Sequence, residues 1–277
     1  MTDRSTQTVL TTGANSGIGL ATTIELARRG FHSIGSVRSK AKAKVVHSAA
    51  ADAGVAIETV LLDVTDDEQC ESVLDGLELH GLVNNAGYAL TGAIEDVSDA
   101  EARHLFETMV FAPMRLARLA LPAMQANGAG RIINVSSIAG LVSSPLAGWY
   151  TGAKHALEAL TDALRNEVAR DGVQVVLIEP GGFKTGIWDD MTRDIERHGQ
   201  AGSRNTSAYE RSLQFQRLLE PIMGSPDQCA GVIAGAIEAR VPRGRYLVGI
   251  DAQAMRLADR LTPNMLQDRV LRFALGL

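Results

Sequence analysis

Hydrophobic positions along the chain alternate between two periods. Short β-branched and aliphatic runs read as strands: Thr8-Val9-Leu10-Thr11, His32 to Val37, Ile57 to Leu62, Leu82-Val83-Asn84, Arg131 to Ser136, Val173 to Ile178 and Arg245 to Val248. Helical stretches lie between them. One runs from Ile18 to Arg29 with Gly30 in a C-cap position, and another from Lys40 to Ala53. A third runs from Asp66 to Leu79, and its acidic start suits the helix dipole. A long helical region covers Asp99 to Met124, where Pro113 and Pro122 predict kinks or ends. Strands alternating with helices predict parallel βαβ units, hence an α/β fold on a doubly wound parallel sheet with helices on both faces. No internal repeat, low-complexity tract or linker interrupts the pattern, so residues 1–277 read as one domain. Residues 186–223 are charged and irregular and contain Trp188, Met191, Phe215 and Met223. They predict a lid over a site.

Composition narrows the class. The chain has 277 residues, 45% hydrophobic and 21% charged, which suits one sizeable domain. A formal net charge of -5 gives no electrostatic case for nucleic acid. Cys70 and Cys229 lie far apart and match no metal spacing, so a reducing, cytoplasmic setting is expected. The start, Met1 to Gln7, is polar and has no apolar signal core. No run approaches the ~18 apolar residues of a membrane helix. The closing Phe273-Ala274-Leu275-Gly276-Leu277 is apolar but short, and reads as a docked tail or subunit contact.

The first strand runs into Thr12-Gly13-Ala14-Asn15-Ser16-Gly17-Ile18-Gly19 and then a helix. Glycines there let the backbone approach a pyrophosphate, which meets the amide groups and positive end of the helix. The spacing is G-x-x-x-G-x-G, not the general G-x-G-x-x-G. Strand, glycines and helix together predict a Rossmann-type dinucleotide site lined by Gly13, Asn15, Ser16, Gly17, Ile18 and Gly19. An acid at the end of the second strand would select a free ribose 2′-hydroxyl. This chain has Ser36-Val37-Arg38-Ser39-Lys40 there, and Arg38 is placed to fork onto a 2′-phosphate. NADP(H) is therefore expected over NAD. Asp63, with Val64 beside it, follows the third strand as a candidate adenine contact or helix N-cap.

Tyr150 and Lys154 stand four apart, so they share a helix face. A phenol ordinarily titrates at about 10. A neighbouring ammonium favours the phenolate, which would tune Tyr150 to exchange a proton with a carbonyl or alcohol oxygen. The spacing alone is weak, but it gains weight from Ser137 upstream. Ala153, Ala156, Leu157, Ala159, Leu160, Ala163 and Leu164 spread apolar side chains around much of this helix. Such a helix is covered on most sides, one by the sheet and the other by a partner.

Together these motifs resemble the short-chain dehydrogenase/reductase family over about residues 7 to 250. The family's TGxxxGIG appears as Thr12 to Gly19, and its NNAG motif as Asn84-Asn85-Ala86-Gly87. Its serine maps to Ser137 and its PGxxxT segment to Pro180-Gly181-Gly182-Phe183-Lys184-Thr185. The resemblance implies that Ser137, Tyr150 and Lys154 are catalytic. It also implies that Asn85, Ala86 and Gly87 line the adenosine ribose. Pro180, Gly181, Phe183 (through its backbone) and Thr185 would hold the nicotinamide carboxamide. Lys154 would hold the nicotinamide ribose, and a homodimer or homotetramer would form through the Tyr150 helix. The versions of the motifs look like those of hydroxysteroid and retinol dehydrogenase relatives. The expected reaction moves a hydride between nicotinamide and a hydrophobic ketone, aldehyde or secondary alcohol. Candidate substrate walls are Tyr88, Leu90, Ile94, Leu141, Val142, Trp188 and Met191. One position departs. Met109 stands where the family carries an asparagine that holds a water of the proton relay, and a thioether is a poor substitute. Met109 keeps an alternative open: a non-catalytic NADP-binding regulator or scaffold.

Overall fold

A computed structural model describes residues 4–200 and 202–277. Met1 to Asp3 of the polar start, and Ala201 within the expected lid, lie outside the described residues. The chain runs β1 (Thr8–Thr11), α1 (Gly17–Arg28), β2 (His32–Val37), α2 (Lys40–Asp52), β3 (Glu58–Leu61), α3 (Asp67–Leu74), β4 (Gly81–Asn84) and α4 (Asp99–Phe106). It continues with α5 (Ala112–Ala126), β5 (Gly130–Val135), α6 (Gly148–Glu167), β6 (Val173–Pro180), α7 (Ile187–Gln200) and α8 (Thr206–Leu219). Last come α9 (Pro226–Glu238), β7 (Arg245–Val248), α10 (Ile250–Leu261) and α11 (Asn264–Leu275).

The strands form one 7-stranded sheet in the order β3-β2-β1-β4-β5-β6-β7. Every neighbouring pair is parallel. The strand order reverses between β1 and β4, and the ends of strands at such a switch point are where open α/β sheets bind ligands. Continuous apolar runs are what a sheet buried on both faces requires, because successive side chains point to opposite sides. Val9, Val83 and Ile133 pack on one face with Leu26 of α1 and Ile233 of α9. Their chain neighbours Leu10, Leu82 and Ile132 pack on the other with Leu74 of α3 and Leu116 of α5. The cysteines divide the same way. Cys70 lies in the second cluster and Cys229 in the first, both free and buried. Burial raises both thiols, Cys229 to about 12.

Several expectations need correcting. The Asp66 helix is shorter than its pattern: Asp66 caps it through Gln69 N–H, and it stops at Leu74. The Asp99–Met124 region is broken by a π-helical turn, Glu107–Phe111, and not by its prolines. Pro113 lies just after the π-helical turn, in the first turn of α5, and Pro122 lies inside α5 without ending it. Residues 186–223 are mostly helical rather than irregular. α7 and α8 fold onto Leu146 through Ile195, Ala208 and Tyr209. The Tyr209 hydroxyl donates to Asp96 (2.8 Å) and accepts from Ala93 N–H (2.7 Å). α9, α10 and α11 stand outside the expected elements, although Ile250, Ala254, Leu257 and Leu261 recur at helical spacing along α10. Among the described residues, no helix is long and apolar enough to cross a membrane, and no acidic, His or Cys group is placed to hold a metal.

Candidate active site

The glycine loop closes β1 against the start of α1. Ser16 precedes α1 in an extended conformation, makes no side-chain cap, and the first turn carries no acid. The amide groups and positive dipole end are thus left to an anion. Gly17 has φ +52°, a conformation that favours glycine. A Cβ on Gly19 would lie 2.4 Å from Asn85 Nδ2 and 2.4 Å from the Gly13 carbonyl oxygen. Asn85 secures the loop from the β4 side. Its side-chain amide donates to the Thr12 carbonyl (2.9 Å), while the Asn85 and Ala86 N–H groups donate to Thr12 Oγ1 at 3.0 and 2.9 Å. Next to it, Asn84 Nδ2 donates to Asn134 Oδ1 (2.8 Å), and Asn134 Nδ2 donates to Thr161 Oγ1 (2.9 Å). This buried ladder ties β4 and β5 to α6.

Arg38 is exposed at the end of β2. Asp63 sits close enough to feel its charge. Burial would raise the Asp63 carboxyl, but hydrogen bonds from Thr65, with the charges of Arg38 and His104, hold it low. Asp63 Oδ1 accepts from Thr65 N–H (3.1 Å) and its hydroxyl (2.8 Å), while the N-cap is Asp66. The Asp63 N-cap expectation is therefore wrong. The Val64 side chain belongs to the core, and its carbonyl accepts from Arg115 (3.0 Å).

Ser137 follows β5 and caps a short 3₁₀ turn, its hydroxyl accepting from Ala139 N–H (3.1 Å). Tyr150 lies in the first turn of α6 and Lys154 one turn on. Burial pushes the Tyr150 hydroxyl up to about 12, and Ser137 is the polar group that pulls it back. Burial also pushes Lys154 down to about 8, opposed by Glu158. The Lys154 ammonium donates to the Val135 carbonyl (2.9 Å) and lies 5.9 Å from the Tyr150 ring centroid. The expectation that Lys154 lowers the Tyr150 pKa does not hold in this geometry. The ammonium is held over the ring by a backbone carbonyl, and desolvation of the hydroxyl wins. Met109 is buried in the π-helical turn among Leu90, Leu105 and Ala153. Its Cε would lie 3.1 Å from a Cβ on Gly87.

The Pro180 segment faces the glycine loop. Gly181 N–H donates to the Val248 carbonyl (2.9 Å) and Gly182 N–H to Asp251 Oδ2 (2.6 Å). The Phe183 ring is buried against the α1–α9 layer, and its carbonyl accepts from Trp188 Nε1 (2.8 Å). Thr185 Cγ2 would lie 3.0 Å from a Cβ on Gly17. A cleft of about 540 Å³ opens beside them, lined by Gly17, Thr185, Trp188, Thr192, Gln216 and Met223 among others. A hollow of about 640 Å³ near Arg28, His32 and Val55 lies at the other ends of the strands, away from these motifs. Of the expected walls, Trp188 borders the cleft, and Tyr88, Leu141, Val142 and Met191 are partly buried. Ile94 is 60% exposed, and Leu90 is a core residue at 4%, which corrects its reading as a wall.

Two participants escaped sequence reasoning. Asp251 reaches Gly182 from 69 residues away, and no local pattern announces such a partner. Glu158 stands one turn beyond Lys154, a spacing that the sequence did display. It is buried with Glu179 around Arg245, which Asp162 also contacts. Burial pushes the Glu158 carboxyl to about 7; the charge of Glu179 reinforces this and that of Arg245 opposes it.

This architecture and these motifs define a nicotinamide-dependent oxidoreductase fold, and the chain belongs to the short-chain dehydrogenase family, whose model matches residues 7–196. It is 34% identical over 273 residues to an NADPH-dependent 3-dehydrocapnine reductase of Ornithobacterium rhinotracheale, covering 94% of each chain. It is 28% identical over 285 residues to human retinol dehydrogenase 5, covering 96% of this chain and 88% of that one. A variant of actinorhodin polyketide ketoreductase, solved with NADPH, superposes with a TM-score of 0.76 at 25% identity, covering 90% of this chain and 97% of that one.

Proposed function

We propose that this chain is an NADP(H)-dependent oxidoreductase acting on a hydrophobic ketone, aldehyde or secondary alcohol. One observation carries the reading: Ser137, Tyr150 and Lys154 stand at the same end of the parallel sheet as an uncapped α1 N-terminus. The residues present fit a dinucleotide. The Gly13–Gly19 loop would hold the pyrophosphate, and Arg38, with no acid beside it on its strand end, would hold a 2′-phosphate. The NADPH named with the reductase relative and the ketoreductase structure supports the same preference. Asn85, Ala86 and Gly87 flank the ribose side. The Phe183 backbone and the Thr185 hydroxyl would hold the nicotinamide carboxamide, and Asp63 would meet the adenine.

A bound nicotinamide supplies or accepts the hydride. Tyr150 gives a proton to the substrate oxygen during reduction or takes one during oxidation. A hydroxyl that titrates near 12 is protonated at neutral pH, which is the form an acid needs. Ser137 donates a hydrogen bond to the charge developing on that oxygen. Lys154, already desolvated, would hold the ribose hydroxyls of the bound cofactor. Leu141 and Trp188 border the substrate, and their apolar character favours a hydrophobic one. Residues 1–277 act as one domain, with 186–223 as its lid. The outer face of α6 exposes Ala159, Leu160 and Ala163, which supports pairing of this helix with that of a second copy.

Met109 favours a second reading, an NADP-binding regulator or scaffold without turnover. One experiment separates the two: a panel of carbonyls and alcohols with NADPH and with NADH, followed by nicotinamide absorbance. We expect turnover with NADPH over NADH. Tyr150→Phe should lower kcat by about 10²–10⁴-fold and leave NADPH binding intact. Wild-type turnover in that variant would remove Tyr150 from the mechanism, and no turnover by the native chain would favour the regulator.

A further inference from the structure

Gly181 and Gly182 follow one another between β6 and α7. With no Cβ on either, the backbone there is free to take many paths. Hydrogen bonds select one of them. Gly181 N–H donates to the Val248 carbonyl (2.9 Å), and the Gly182 carbonyl accepts from Gly224 N–H (2.9 Å). Lys184 N–H donates to the Gly224 carbonyl (2.9 Å). Gly182 N–H donates to Asp251 Oδ2 (2.6 Å). Val248 and Gly224 contribute backbone groups, which any residue type would supply. Asp251 contributes a side chain, so here the identity of the residue matters.

The surroundings are shaped to that carboxyl. A Cβ on Gly181 or on Gly249 would overlap it, and Gly249 has φ +110°, a conformation that favours glycine. Glycine at both positions is what lets Asp251 reach the Gly182 N–H. The anchored backbone then leads into the cleft. A Cβ on Gly182 would lie 3.6 Å from both Trp188 and Met223, which line it. Between the fixed Gly182 and Lys184, the Phe183 N–H donates to no partner among the described residues. The helix that carries Asp251 also packs against the 3₁₀ turn Ile138–Gly140, which Ser137 caps. One helix thus touches both sides of the site.

We propose that Asp251 is a positioning residue for the nicotinamide end of the dinucleotide: by holding the Gly182 N–H, it fixes the Phe183 and Thr185 groups on which the carboxamide would dock. The role rests on the dinucleotide reading given above. An acid in the first turn of α10 also suits the helix dipole, and a role confined to that would affect stability without distinguishing one end of the cofactor from the other.

A pair of ligands separates the two roles. NADPH and 2′-phospho-ADP-ribose, the same dinucleotide without its nicotinamide, are titrated by calorimetry. The proteins are the native chain, Asp251→Ala and Asp251→Asn, each with its Tm and far-UV circular dichroism recorded. We expect Asp251→Ala to weaken NADPH by about tenfold, the order of one lost hydrogen bond, and 2′-phospho-ADP-ribose by less than about twofold. Asp251→Asn keeps an oxygen that can face Gly182 and should recover most of the NADPH affinity; failure to recover it overturns the proposal. So do equal changes for both ligands, and so does unchanged NADPH affinity in folded Asp251→Ala. Should Asp251→Ala not fold, Asp251→Ser replaces it, because its shorter side chain keeps a polar group at the helix start without spanning to Gly182. If neither folds, the residue serves the fold and the proposal fails. A native chain that binds neither ligand overturns the dinucleotide reading and this role with it. One that binds both leaves that reading in place even where Asp251 proves idle.

Discussion

At the scale of the residue, the site is a contest between burial and charge. Tyr150 and Lys154 are each pushed toward their neutral forms, and only Ser137 and Glu158 oppose. The sequence displayed the residues and their spacing but not this balance, because spacing says nothing about where an ammonium finds its acceptor. Val135, which holds Lys154, offers only a backbone carbonyl, and any residue type offers that. Glu158 gives the clearest pH signature. Its folded pKa of about 7 lies above the ordinary 4.5, so the folded chain holds this proton after the unfolded chain has lost it. Stability contributed by this group is then present below about 4.5 and is lost as pH rises toward about 7. Glu158→Gln cannot lose that proton. The difference in Tm between variant and native chain should move in favour of Gln across that window and stay level above it. Lys154 does not interfere, since it titrates in a higher window, between about 8 and 10.5. A difference that stays flat from pH 4 to 8 would mean that folding leaves the Glu158 pKa where it is in the unfolded chain.

At the scale of the element, the parts proposed to meet a nucleotide were the most legible. A strand, a glycine loop and a helix start are local, and local chemistry writes itself into adjacent residues. What stayed hidden was set by packing across the chain. The break before α5 is a π-helical turn at Met109 that no proline marks, and such turns often accompany functional sites. The helices within 186–223 were masked by their many charges, most of which face solvent on α7 and α8. The loop itself makes a sharp prediction. Gly19→Ala places a methyl group where Asn85 Nδ2 and the Gly13 carbonyl already stand. We expect it to cost about 1–3 kcal/mol in stability and to weaken NADPH binding, read by thermal melting and by fluorescence titration. Unchanged values for both would mean that the loop opens more readily than its packing against Asn85 implies.

At the scale of the whole molecule, the parallel sheet follows from the alternation of strand and helix, but its order does not appear in any segment. The reversal between β1 and β4 gathers residues from the glycine loop, the Asn84–Gly87 turn and α6 at one end. The C-terminal helices leave apolar side chains such as Ile250, Leu261 and Phe273 exposed at the surface. The two cysteines offer a way to watch the whole structure loosen. One thiol is sealed beneath α3 and α5, the other between the sheet and α9. Neither reacts with an alkylating reagent until its own face of the sheet opens. Labelling rates followed separately at Cys70 and Cys229 would thus time the parting of each layer. Equal rates would mean that both faces come apart in one cooperative event, and unequal rates would name the layer that yields first.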